Sequence, residues 1–200
     1  MLVIGIISFL IWAYVVWVLD RAKLKFFKYA VGTVGAFVFM LWWIEDLIVL
    51  PLMKLVAMVS GFIGEIIGMF DSYYRYCMIF IPKQTASISL YVDFECSGVI
   101  EMMAFTSLVM FYELYTYRER IKLIIVGILY IFASNVIRIL VICFILYFCG
   151  NNWFYFAHAI FGRLVFYALT IILYFNVFTK PHIKRQRVGQ FTYEKEEPHE

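Results

Sequence analysis

The chain has 200 residues, of which 64% are hydrophobic, 20% aromatic and only 16% charged, with a formal net charge of +3. A water-soluble domain would have to expose much of that apolar surface, so the composition excludes an ordinary soluble fold and favours an integral membrane protein. The basic residues sit in short runs between apolar segments, which gives no support to nucleic-acid binding.

A helix needs about 20 apolar residues to cross roughly 30 Å of hydrocarbon. Residues 2–19 form the first such run. Met1 opens straight into it, without a basic leader or a small-residue cleavage site, so this helix is expected to stay as an anchor. Residues 29–50 form the second run, with Glu45 and Asp46 near its end. Residues 51–70 contain Pro51, Lys54, Glu65 and three glycines, so this run could cross, re-enter or lie at the interface, with a re-entrant or interfacial segment favoured. Residues 71–95 include Lys83, Gln84 and the alternating "SISLYVDF", a short strand or hairpin outside the lipid. Three further apolar runs follow at 96–117, 121–148 and 153–178. The expected fold is therefore all-α: a polytopic transmembrane bundle of about five to six membrane segments with a short extracytoplasmic strand or hairpin. It forms one domain over 1–178, followed by a disordered tail over 179–200.

The basic runs "RAKLKFFK" (21–28), "RERIK" (118–122) and "KPHIKRQR" (180–187) should face the cytoplasm. The N-terminus is then outside and the tail "VGQFTYEKEEPHE" cytoplasmic. Parity requires that residues 51–70 do not cross completely, if Cys96 is to open its helix from the outer side.

Ionisable groups within lipid cost a few kcal/mol each on insertion scales and so mark sites or buried pairs. Cys96 precedes Arg118 by 22 residues, about 33 Å of helix, which puts it at the outer boundary. His158 precedes Lys180 by 22 residues and reaches the same height. Arg138 follows Lys122 by 16 residues, about 24 Å up its helix, and a long side chain can span the rest. A thiol, a guanidinium and an imidazole thus converge on one layer. A helix start and a nearby cation favour the thiolate of Cys96. His158 can move its proton, and Arg138 can hold an oxyanion. Glu95 opposes the thiolate and is expected to orient Arg138 or His158 instead. Ser97-Gly98 would leave room for a substrate backbone. Asn135, three residues before Arg138, shares its face and is expected to brace the guanidinium. Gly162 lies four residues after His158 and would let another helix approach beneath it, whereas Arg163 is expected to point away from the imidazole.

The motifs "ECSGVIE", "SNVIRILV" and "HAIFGRLVF", each on its own apolar helix, resemble the exosortase/archaeosortase family, whose pattern is Cys-(Ala/Ser)-Gly, Asn-x-x-Arg and His-x-x-x-Gly-x-x-x-Phe. The resemblance implies that Cys96 is the nucleophile and that Arg138 and His158 are its partners. It also implies a membrane cysteine transpeptidase or protease acting on C-terminal sorting signals of exported, membrane-anchored proteins. The acyl group would pass to an unknown acceptor: an amine, a glycan, a lipid or water. The chain is shorter than many members and looks like a compact subtype, perhaps one of Gram-positive bacteria.

Other readings stand beside this one. Cys77, Cys143 and Cys149 read as apolar fillers, and a Cys77–Cys149 disulfide is conceivable. Arg138 could be a structural partner of Glu101 or Glu95, and His158 an interfacial cap. A non-enzymatic transporter using Arg138, Glu101 and Glu65 as a polar pathway is a distinct alternative, as is a surface-polysaccharide assembly subunit. No cofactor and no metal is expected, since no Cys/His pair has ligand spacing.

Overall fold

The computed structural model of the chain describes residues 2–82 and 88–185. Five helical columns run up and down beside one another, each apolar enough to need a lipid or a neighbour around it. Helix α1 spans Leu2–Arg21 and turns sharply into α2, Lys25–Ile67. The Trp12 indole donates to the Val31 carbonyl at 3.0 Å, which fixes α1 antiparallel to the start of α2. Most large side chains of α1 are exposed, among them Ile4, Leu10 and Trp17, as a lipid-facing helix requires.

Helix α2 corrects one expectation. Its 43 residues run on through Pro51 for about 65 Å, so residues 51–67 do not form a separate re-entrant or interfacial segment. The proline removes one hydrogen bond but does not end the helix, since apolar packing on the far side holds it. Gly68, at φ +74°, closes the helix in the left-handed conformation.

A small antiparallel sheet follows, as the alternating pattern indicated. It comprises β1 (Asp71–Tyr73), β2 (Met78–Ile81) and β3 (Ile88–Tyr91), in the order β1-β2-β3. Ser72 pairs with Ile79, and Ile79 with Leu90. Ile79, Ile81, Ile88 and Leu90 point inward and are buried, while Ser89 and Tyr91 face out. The Ser72 hydroxyl donates to the Ala57 carbonyl at 2.8 Å and pins the sheet along the second half of α2. Lys83 and Gln84 lie outside the described residues.

Helix α3, Val99–Phe111, is a second correction: 13 residues rise only about 20 Å, not the 33 Å expected of 96–117. Residues 112–116 leave the helix through a turn, held by the Tyr112 and Tyr115 hydroxyls, which donate to Phe178 and Val177 carbonyls at 3.2 and 2.6 Å. Thr116 then caps α4, Tyr117–Cys149, in a reciprocal box with Glu119. The last column begins with a 3-10 turn, Asn151–Trp153. It continues as π-helix Phe156–Phe161, α5 (Gly162–Tyr174), a second π stretch Phe175–Thr179, and α6 (Lys180–Arg185). Helical backbone thus runs six residues past 179, and the tail from residue 186 lies outside the described residues.

Two apolar layers result. One gathers Met53, Val56, the inner face of the sheet, and Ile139, Ile142 and Leu146 of α4. The other gathers Phe105, Val109, Ile131, Phe166 and Val177. Each fully buried Ile, Leu or Phe contributes about 1.5–3 kcal/mol when it leaves water. Between the layers α4 presents Ser134, Asn135 and Arg138, all buried. Five stretches are long and apolar enough to cross a membrane: Val3–Arg21, Lys25–Ile44, Leu47–Ile67, Tyr117–Cys149 and Asn151–Thr179. The protein is a multi-pass membrane bundle.

Candidate active site

Cys96 lies in a turn between β3 and α3, at the junction of the two layers. Its amide donates to the Asp93 carboxylate at 2.8 Å, an Asx-type turn that sets the direction of the residue. Gly98 ends the turn at φ +77°, a conformation that a side chain would strain. Ser97 donates to the Phe94 carbonyl at 2.6 Å and is fully buried. The Ser97-Gly98 pair is therefore packed turn structure, not the open space expected for a substrate backbone. Cys96 itself precedes the first helical residue by three positions.

Around the sulfur the structure brings together two of the groups expected there. His158 Nε2 lies 3.2 Å from Cys96 Sγ. Arg138 Nη2 donates to the same sulfur at 3.4 Å, while its Nη1 donates to the Glu95 carbonyl at 3.3 Å. Arg138 is 3% exposed, its guanidinium lies 5.8 Å from the Phe166 ring centre, and its Nε finds no partner among the described residues. Such a buried cation is costly unless it serves a purpose. Its hydrogen bonds go to Cys96 and Glu95, while Glu101 lies within reach of its charge and Glu65 is exposed near the end of α2.

Three supporting residues are placed differently from expectation. Asn135 does not brace Arg138; its amide donates to the Cys96 carbonyl through a short bond, because the turn passes directly over α4. The Glu95 carboxylate orients neither Arg138 nor His158. It is exposed and pairs with Arg163 at 2.9 Å. Arg163 thus reaches the turn that holds Cys96, on a column whose backbone from Phe156 to Phe161 is π-helical and departs from the register assumed in placing it. Gly162 does allow close approach: a Cβ there would meet Ile142 of α4 at 2.8 Å.

Asp93 and Phe154 were not singled out from the sequence, and Arg163 was set aside as pointing away. Phe154 stacks on His158, with ring centres 5.8 Å apart and planes within 3°. Its spacing of four before the histidine was legible, as was an Asp three residues before Cys96; the π-helical register was not.

The thiol is fully buried, and burial pushes its pKa up to about 12. The Arg138 guanidinium works against that rise, and the Asp93 and Glu95 carboxylates add to it. The expectation of a resting thiolate is thus corrected: desolvation outweighs one cation. At neutral pH the sulfur keeps its proton, with a ring nitrogen within reach to take it. Cys77 and Cys143 are buried free thiols, and Cys149 is free and exposed, so the conceivable Cys77–Cys149 disulfide is not formed. Among the described residues no three His, Cys, Asp or Glu side chains gather as a metal site.

A family model described as transmembrane exosortase matches residues 1–175. The chain belongs to the transmembrane exosortase family. No curated protein and no solved structure matches it. Membership in the exosortase family supports a membrane transpeptidase-like role for a bundle of this kind.

Proposed function

We propose that this exosortase is a membrane cysteine transpeptidase that cleaves C-terminal sorting signals of exported proteins at the outer membrane–water boundary. The observation that carries the reading is one sulfur flanked by an imidazole nitrogen at 3.2 Å and a guanidinium at 3.4 Å. The basic runs at 21–28 and 118–122 would face the cytoplasm, which leaves the sheet-bearing end and the thiol on the exported side.

On substrate entry His158 Nε2 takes the thiol proton, and the sulfur attacks the scissile carbonyl carbon. A C–S bond forms and the carbonyl π pair moves onto oxygen, where Arg138 offsets the new charge. Collapse breaks the C–N bond, and His158 returns the proton to the leaving amine. The acyl thioester on Cys96 is then attacked by an acceptor amine or hydroxyl, or by water, whose proton passes to His158. Cys96 leaves as thiolate and is reprotonated. No step calls for a cofactor.

The test is processing of tagged membrane proteins whose tails end in an apolar helix and a basic cluster, co-expressed with the chain. Wild type should shorten them, Cys96→Ala should not, and hydroxylamine should release the acyl group from wild type as a hydroxamate. Processing by Cys96→Ala at the wild-type rate ends the proposal.

A further inference from the structure

The residue beside the thiol is held by two arginines, and each takes a different end of it. Arg138 of α4 donates to the Glu95 main-chain carbonyl, whereas Arg163 of α5 pairs with the Glu95 carboxylate at 2.9 Å. Arg138 spends its remaining terminal nitrogen on the sulfur. We infer that Arg163 is a positioning residue: by occupying the Glu95 carboxylate, it keeps that carboxylate from capturing Arg138 and so leaves Arg138 assigned to the Cys96 sulfur. This rests on the reading of Cys96 as nucleophile.

The chemistry favours capture when Arg163 is removed. A carboxylate accepts from a guanidinium through two short charge-assisted bonds, and a neutral thiol is a far weaker acceptor. Glu95 adjoins Cys96 in the chain, and Arg138 already touches its backbone, so the carboxylate has little distance to travel. The charged and titratable groups facing the sulfur are Asp93 and Glu95 from its own turn, Arg138 from α4, and His158 and Arg163 from the last column. Glu101 of α3 lies within reach of the Arg138 charge. Removing Arg163 therefore changes the balance at the sulfur twice, by freeing one anion and diverting the nearest cation. The Glu95–Arg163 pair is itself solvent-exposed, at 65% and 43%, so its value as a mere fastener is small.

The experiment is alkylation of Cys96 by iodoacetamide in membranes at pH 8.5, followed by peptide mass spectrometry, in a two-by-two set of variants. Arg163→Gln should slow alkylation about three- to tenfold, the effect of a half-unit to one-unit rise in thiol pKa. Glu95→Gln should speed it, Arg163→Lys should stay near wild type, and the double variant should recover to wild type or above. A merely structural fastener would move both single variants in the same direction, with no recovery in the double; that result overturns the inference. Tagged-substrate processing, run in parallel, separates the two claims. The opposed pattern without processing by wild type would end the transpeptidase reading alone, and processing without the opposed pattern would end the role of Arg163 alone.

Discussion

Arg138→Gln tests the electrostatics of the site most directly. Nη2 lies 3.4 Å from the sulfur, which puts the centre of positive charge about 4 Å from a thiolate. At an effective dielectric of about 20, two unit charges at that distance interact by about 4 kcal/mol, or roughly three pKa units. The buried glutamine amide recovers part of this through its own hydrogen bond, so a loss of about 10²–10³ in thiolate fraction at fixed pH is expected. The processing rate should fall further, since removing one donor to a developing oxyanion costs about 10²–10³ in kcat. Cys96 alkylation, followed by peptide mass spectrometry at pH 8.5, reads the first effect; single-turnover processing reads the second. Arg138→Lys should recover only part of either, because one ammonium cannot reach both the sulfur and the Glu95 carbonyl. Alkylation of Arg138→Gln within twofold of wild type would refute the argument.

Three other outcomes follow from the same geometry. The thiol near pKa 12 binds its proton more tightly than an unfolded thiol at about 8.5. Its contribution to stability is therefore complete below about pH 8.5 and lost as pH rises toward 12, and Cys96 alkylation should climb about tenfold per pH unit without levelling near pH 9. Asn135→Leu leaves the Cys96 carbonyl without its donor and should cost about 1–3 kcal/mol, read as a thermal midpoint several degrees lower in detergent. Gly162→Ala places a methyl 2.8 Å from Ile142 and 3.0 Å from the Ala157 carbonyl, at a cost of about 1–3 kcal/mol. Adding Ile142→Val removes the nearer of two close side-chain atoms and leaves Cγ1 at 2.9 Å, so it should restore only part of the stability and processing; no recovery at all would refute the side-chain clash.

Hydropathy made the membrane bundle legible, and alternation made the sheet legible, because both patterns are written in side-chain polarity. The break expected at Pro51 and Lys54 did not occur: the lost hydrogen bond and the ring's crowding of the carbonyl four residues back cost about 3 kcal/mol, and the helix runs on through them. The end of α3 at Phe111 was not read because no glycine or proline marks it; the loop after it carries Glu113 and Thr116 among its aromatics. What stops α3 is a pair of tyrosine hydroxyls bound to the carbonyls of Val177 and Phe178, distant in the chain. Cys96, Arg138 and His158 could be brought to one height by counting, because each column rises between fixed ends. Their lateral partners could not: Asn135 and Arg163 depend on how the Cys96 turn lies across α4 and on a helix register that departs from 3.6.

That register has a consequence for how the protein tolerates insertions and deletions. The π stretch Phe156–Phe161 accommodates more residues per turn than an α-helix would. A deletion of one residue within it would let the stretch revert to α geometry while the helix on either side keeps its orientation, because five α residues turn about as far as the six residues of the π stretch. A one-residue deletion in α5 has no such slack and would turn everything upstream by about 100°, carrying His158 away from the sulfur. The π stretch is thus a place in this column where a residue can be lost with the frame kept, much as a spliced-out unit leaves the reading of its flanks intact.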